Sequence, residues 1–149
     1  MTPGLSLLMT LEVLVGAPVS VDASPHGRRF IPILGGRVGD GLDGMVLPGG
    51  GDWQTHWPDG RMDIAAHYAL DIAGQGTVEV RSEGLRHGPP EVLAALARGE
   101  AVDPASYYFR TSVRLRTAAP GLERLNRLLA LAVGERAADR VRLRVYEIG

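Results

Sequence analysis

Apolar and polar residues alternate with a period of two along most of the chain, as expected of strands that bury one face. In the first stretch, Leu7, Met9, Leu11, Val13 and Val15 share a face, with Ser6, Thr10 and Glu12 among the residues opposite. After a loop marked by Pro and Gly, Arg29 to Leu34 and Leu42 to Leu47 predict two shorter strands. Pro48-Gly49-Gly50-Gly51 then interrupts the ladder, because proline lacks the donor and glycine has no side chain to pack. Asp52 to Trp57 resumes extended, and Pro58-Asp59-Gly60 supplies a tight reversal into Arg61 to Ile72. In that hairpin Met62, Ile64, Ala66, Tyr68, Leu70 and Ile72 face inward, while Arg61, Asp63, His67 and Asp71 face outward. A turn at Ala73-Gly74-Gln75-Gly76 leads into Thr77 to Glu83.

One helix is predicted, from about Pro90 to Arg98, with Val92, Leu93, Leu96 and Ala97 apolar and Gly99 as a stop. It reads as a connector rather than as part of the core. Tyr107 to Leu115 is a further strand, Pro120 to Asn126 a helical turn, and Leu128 to Arg136 and Arg140 to Ile148 the last two strands. A sheet of about eight antiparallel strands in one small domain must close or split into two layers to protect its edges. The expected fold is all-β: a single domain over residues 1–149 forming a closed antiparallel barrel of about eight strands with one or two short helices. A two-sheet sandwich is the alternative.

Composition narrows the chemistry. The 149 residues include no cysteine, which removes disulfides, thiol nucleophiles and thiolate metal sites. All 16 basic residues are arginine, which removes Schiff-base chemistry and the phosphate-loop lysine and suggests a GC-rich, bacterial coding sequence. A net charge of -1 gives no general attraction to nucleic acid or to an anionic membrane. Leu5 to Val15 lacks the basic flank and cleavage site of a signal peptide and is too short to span a bilayer, so a cytoplasmic protein is expected. His26, His56, His67 and His87 are scattered without metal-ligand spacing, and no cofactor motif is present. His67 is expected on the surface because Tyr68 takes the inward position.

Three places depart from what a plain barrel needs. The glycines before Asp52 and Trp53 permit close backbone approach, so Asp52 could stand at the barrel mouth, with Trp53 either lining it or plugging the core. Tyr107-Tyr108-Phe109-Arg110 sets aromatic hydroxyls beside a cation able to hold a carboxylate or enolate; a packed aromatic strand with Arg110 in a surface pair is the competing reading. Asn126 and Glu135 are an amide and a carboxylate in apolar surroundings. A buried Glu135 would suit proton transfer, whereas an arginine partner would keep it ionised.

Ile31-Pro32-Ile33-Leu34-Gly35-Gly36, Gly39-Asp40-Gly41-Leu42-Asp43-Gly44 and Val46-Leu47-Pro48-Gly49-Gly50-Gly51-Asp52-Trp53-Gln54 resemble the opening signature of the family called domain of unknown function 3237. Tyr68 after Asp63, Tyr108-Phe109-Arg110-Thr111, Leu125-Asn126-Arg127, Gly134-Glu135-Arg136 and Val145-Tyr146-Glu147 resemble its later blocks. Asp40 stands where the family often has proline, and Arg124 where an aromatic often precedes Leu-Asn. The resemblance implies a barrel akin to lipocalin-like and allene oxide cyclase-like proteins, commonly self-associating, with some members beside polyketide pathways. The expected function is therefore a cofactor-independent cyclase or isomerase acting on a hydrophobic, oxygenated, polyketide-like molecule inside the barrel, in a dimer. Asp52, Glu135, Tyr108 and Arg110 are its candidate catalytic residues, and Trp53, Tyr68, Tyr107 and Asn126 its candidate substrate contacts. A non-catalytic carrier is the alternative.

Overall fold

The structure is a computed structural model that describes residues 1–22 and 27–149; His26 lies outside the described residues. Ten strands form one sheet: β1 (Leu5–Val15), β2 (Val19–Asp22), β3 (Arg28–Gly39), β4 (Gly44–Val46), β5 (Gly51–His56), β6 (Met62–Ile72), β7 (Gly76–His87), β8 (Tyr108–Thr117), β9 (Ala130–Arg136) and β10 (Arg140–Ile148). A single α-helix, α1 (Pro90–Ala97), and 3-10 turns at Pro104–Ser106 and Glu123–Arg127 complete the described elements.

Every pairing is antiparallel, and the ring closes because β1 pairs with β10 on one side and with β3 on the other. Closure excludes the sandwich and gives an eight-strand barrel with two extra strands. One position in the ring is filled by two segments. β4 joins Gly36–Val38 of β3 to Leu70–Ile72 of β6, and β5 joins Arg28–Pro32 to Met62–His67. The break falls at the predicted Pro-Gly interruption. A Cβ on Gly50 would lie 2.5 Å from the Tyr68 Cβ, so glycine there lets the chain pass directly over Tyr68.

The interior is unequal along its axis. At one end Met9, Leu11, Leu70, Ile72, Val80 and Leu115 pack solidly in one core with Leu125 of the second 3-10 turn and Leu122, which precedes it. Toward the other end the inward positions shrink to Ala66, Ser82, Gly84, Thr111 and Gly134. Some of that space is used tightly: the Phe109 ring occupies the place of a Gly134 Cβ, at 2.6 Å, and Ser82 Oγ donates to Thr111 Oγ1 at 2.8 Å.

The structure departs from the sequence pattern in four places. A register shift between Leu7 and Met9 turns Leu7 outward, 46% exposed, and buries Leu8. β3 runs on past Leu34 to Gly39 through Gly35 and Gly36, both at φ 145; a Cβ on Gly36 would sit 1.9 Å from the Glu12 carbonyl oxygen of β1. The stretch taken as loop contains β2, all of whose residues are exposed. Helix α1 does more than connect: Leu96 is buried in the core, and Val92 and Leu93 pack against it.

Candidate functional site

β5 alternates, so Asp52, Gln54 and His56 point to the barrel axis or its mouth, while Trp53, expected beside Asp52 at the ligand, points out. Asp52 and Gln54 line an interior cavity of about 50 Å³, together with Ala66, Tyr68, Ser82 and Arg86. The Asp52 carboxylate accepts from Gln54 Nε2 at 2.7 Å and from the Ala65 backbone N–H at 3.2 Å. Gln54 Oε1 in turn accepts from Arg29 Nε at 2.8 Å. Arginine can only donate and an ionised carboxylate only accept, so this chain fixes the orientation of the Gln54 amide. Burial raises the Asp52 carboxyl from 3.8 to about 6, against the lowering effects of Gln54, the Ala65 N–H, Arg29 and Arg86. Near pH 7 the group is therefore mostly ionised, with roughly one molecule in ten still protonated, as suits a proton-transfer residue.

Tyr68 comes from β6, opposite the glycine break, and is 5% exposed. Its hydroxyl is buried without a hydrogen-bond partner. Burial, reinforced by Asp52, holds the phenol well above its ordinary range, so Tyr68 stays a neutral donor. An orphaned buried hydroxyl costs about 1–3 kcal/mol, which makes it a group waiting for an acceptor.

Three arginines gather where the cavity opens. Arg29 extends the inward face that carries Ile31 and Ile33, Arg86 that of Val78 and Val80, and Arg136 that of Ala130 and Ala132. Arg86 and Arg136 line both the interior cavity and a mouth pocket of about 400 Å³, which Arg29, His56, Met62 and helix α1 also border. Arg86 is 9% exposed, and its Nε is buried without a partner. Burial, then Arg136 and Arg29, lower its pKa to about 10, so it remains a cation at neutral pH. Burial also lowers Arg29 and Arg136, and burial followed by Arg29 and Arg86 lowers His56. Among the described residues, no carboxylate lies within 4 Å of the nitrogens of these three arginines.

Of the residues singled out from sequence, Asp52 and Tyr68 meet in the interior. Tyr107 is buried at the same end, where its hydroxyl accepts from the Arg136 backbone N–H at 2.9 Å. The others lie elsewhere. Glu135 is on the outer face of β9, paired with Arg144 at 3.1 Å. Tyr108 is 45% exposed and stacks on His87, and Arg110 sits over the outer side of the Tyr108 ring while donating to the Phe109 carbonyl. Trp53, 40% exposed, packs against Phe30 outside the barrel with Arg28 over its ring. Asn126 is exposed and closes a turn through two bonds to the backbone of Thr117. His67 is on the surface with Glu79, and Arg124 is paired with Glu147 outside the cavity.

The profile of the family described as "Protein of unknown function (DUF3237)" matches residues 3–148. The chain belongs to the DUF3237 family. A UPF0311 protein from Rhodopseudomonas palustris is 40% identical over 152 residues, covering 99% of each chain. A crystal structure of a Rhodopseudomonas palustris protein of unknown function, 39% identical, superimposes with a TM-score of 0.90 over 100% of both chains. A β-barrel-like protein from Acinetobacter baumannii, 30% identical, gives 0.85 over 100% of this chain and 98% of that one. An enzyme from Penicillium herquei, 19% identical, gives 0.74 over 100% and 96%, a likeness of fold.

The site residues that sequence reasoning passed over in this DUF3237 barrel are Gln54, Arg29, Arg86 and Arg136. The three arginines carry the signal of a polar residue on the inward parity of an apolar run, at its end nearest the mouth, and Gln54 that of sharing its parity with Asp52.

Proposed function

We propose that this DUF3237 protein is a cofactor-independent enzyme that moves a proton on a hydrophobic, oxygen-bearing small molecule of polyketide type, as a cyclase or isomerase does. The observation that carries this reading is that Asp52, whose carboxyl burial pushes up to about 6, lines the same interior cavity as a neutral buried Tyr68 hydroxyl that lacks an acceptor. Ionised Asp52 takes a proton from a carbon next to a carbonyl. The C–H electron pair moves into the new C=C bond as the carbonyl π pair moves onto oxygen, where Tyr68 donates to the developing charge. Where the substrate carries a C=C bond next to that carbon, the enolate is a dienolate: as the oxygen pair re-forms the C=O bond, the C=C bonds shift by one position and the far carbon takes the proton back from Asp52, which completes an isomerisation. The Arg29–Gln54 chain leaves a free lone pair on each Asp52 oxygen while fixing the carboxylate plane.

An interior of about 50 Å³ admits only the reacting end of such a molecule, so its body rests in the mouth pocket of about 400 Å³. A carrier would have no use for a carboxyl poised between its two protonation states, which favours turnover over transport. The test is exchange of the α-hydrogens of a 1,3-diketone bearing an apolar arm, followed by proton NMR in deuterated buffer. Wild-type protein accelerates the exchange and Asp52→Asn does not; equal exchange by the two removes Asp52 from the role.

A further inference from the structure

The cations at the mouth are not explained by proton transfer. Arg29, Arg86 and Arg136 converge where the cavity meets solvent, and the nearest buried counter-charge is Asp52, one carboxylate against three guanidinium groups. Burying cations is costly: desolvation lowers the pKa of all three, and neighbouring guanidinium groups lower those of Arg29 and Arg86 further. On the outer surface an arginine without a carboxylate is solvated by water, and several there do have one, as Arg144 has Glu135, Arg124 has Glu147 and Arg140 has Asp139. At the mouth the pairing is left open, and Arg86 keeps a buried Nε–H with nothing to receive it.

We propose that the mouth is a carboxylate-binding subsite, in which Arg86 and Arg136, backed by Arg29, hold the anionic group of a ligand whose apolar body lies against Met62, Leu93 and Leu96. The proposal deepens the proton-transfer reading by naming the substrate class, an apolar molecule carrying a carboxylate, and so rests on it. Two observations support the assignment. The guanidinium fork supplies paired donors matched to a carboxylate, and burial makes each such bond stronger than it would be at the surface. The same pocket presents the apolar side of α1, so charge recognition and a greasy wall stand side by side.

The experiment is calorimetric titration with 4-phenylbutyrate and with its uncharged amide, which share size and apolar surface. The carboxylate is expected to bind at least tenfold more tightly to wild-type protein. Arg86→Gln removes that preference, while Arg144→Gln on the outer face leaves it intact. Equal binding of acid and amide overturns the proposal, as does binding of neither at millimolar concentration. Because the acid and amide are compared on wild-type protein, poor folding of Arg86→Gln would not rescue a failed preference. A carboxylate preference without α-hydrogen exchange would remove the proton-transfer reading and leave the subsite standing; exchange without the preference would do the reverse.

Discussion

Replacing Asp52 with Asn separates the effect of ionisation from the effect of shape. The rise of its carboxyl from 3.8 to about 6 means that the folded barrel binds this proton more tightly than the unfolded chain does. At low pH both states hold the proton and the buried group adds no penalty. As pH climbs through about 4 the unfolded chain ionises freely, while the folded protein must charge a desolvated carboxyl, so stability falls until about pH 6 is passed. At about 1.36 kcal/mol per pH unit the whole loss is about 3 kcal/mol, most of it between about pH 4 and pH 7.

Asn cannot ionise and escapes that loss. It does, however, turn one carboxylate oxygen into an NH2 group facing either Gln54 Nε2 or the Ala65 N–H. Gln54 cannot turn to accept it without presenting its own NH2 to Arg29. The lost bond costs about 1–3 kcal/mol at every pH. Wild type is therefore the more stable protein near pH 4, and the gap closes or reverses by about pH 7. Urea midpoints followed by circular dichroism across this range measure the difference, in which the other titrating groups cancel. Parallel stability curves for the two proteins would refute both the raised carboxyl pKa and the acid-base role built on it.

Three other substitutions have distinct expected outcomes. Tyr68→Phe removes a buried hydroxyl that bonds to nothing, so it leaves the melting temperature unchanged or raises stability by about 1 kcal/mol while slowing α-hydrogen exchange by about a hundredfold. A fall in stability together with unchanged exchange would contradict that placement. Gly134→Ala pushes a methyl into the Phe109 ring and should cost about 1–3 kcal/mol in urea unfolding. Glu135→Gln breaks only the outer pair with Arg144, so exchange rates should match wild type and stability change by no more than about 1 kcal/mol.

The barrel was legible in the sequence because period-two alternation reports which side of a strand meets water. β6 shows this plainly: Met62, Ile64, Tyr68, Leu70 and Ile72 were all assigned inward from pattern alone, and all are buried. Where the sequence reading erred, the backbone did something alternation does not encode. The register shift at Leu7 reversed the parity of that part of β1, and Gly35 and Gly36 carried β3 through positions with no side chain to read. The tertiary role of α1 was hidden too, since a short helix advertises an apolar side but not what it covers.

The site was less legible for a reason that follows from the same pattern. Chemical intuition favoured the conspicuous cluster Tyr107 to Arg110 and the pair Asn126 and Glu135, yet adjacent residues in a strand point to opposite sides, so most of the cluster cannot share one pocket, and Glu135 faces outward where its neighbour Arg136 faces in. What meets in space is assembled across strands, from the interior cavity to its mouth: Arg29 from β3, Gln54 and Asp52 from β5, Tyr68 from β6, Arg86 from β7 and Arg136 from β9. Arg29, Arg86 and Arg136 are each a single polar residue at the end of a largely apolar inward series, while β5 supplies Asp52 and Gln54 from a polar inward face. Such a residue carries a desolvation cost that packing does not need, and in a barrel closed over its solid end, that cost is borne at the one end where a ligand can enter.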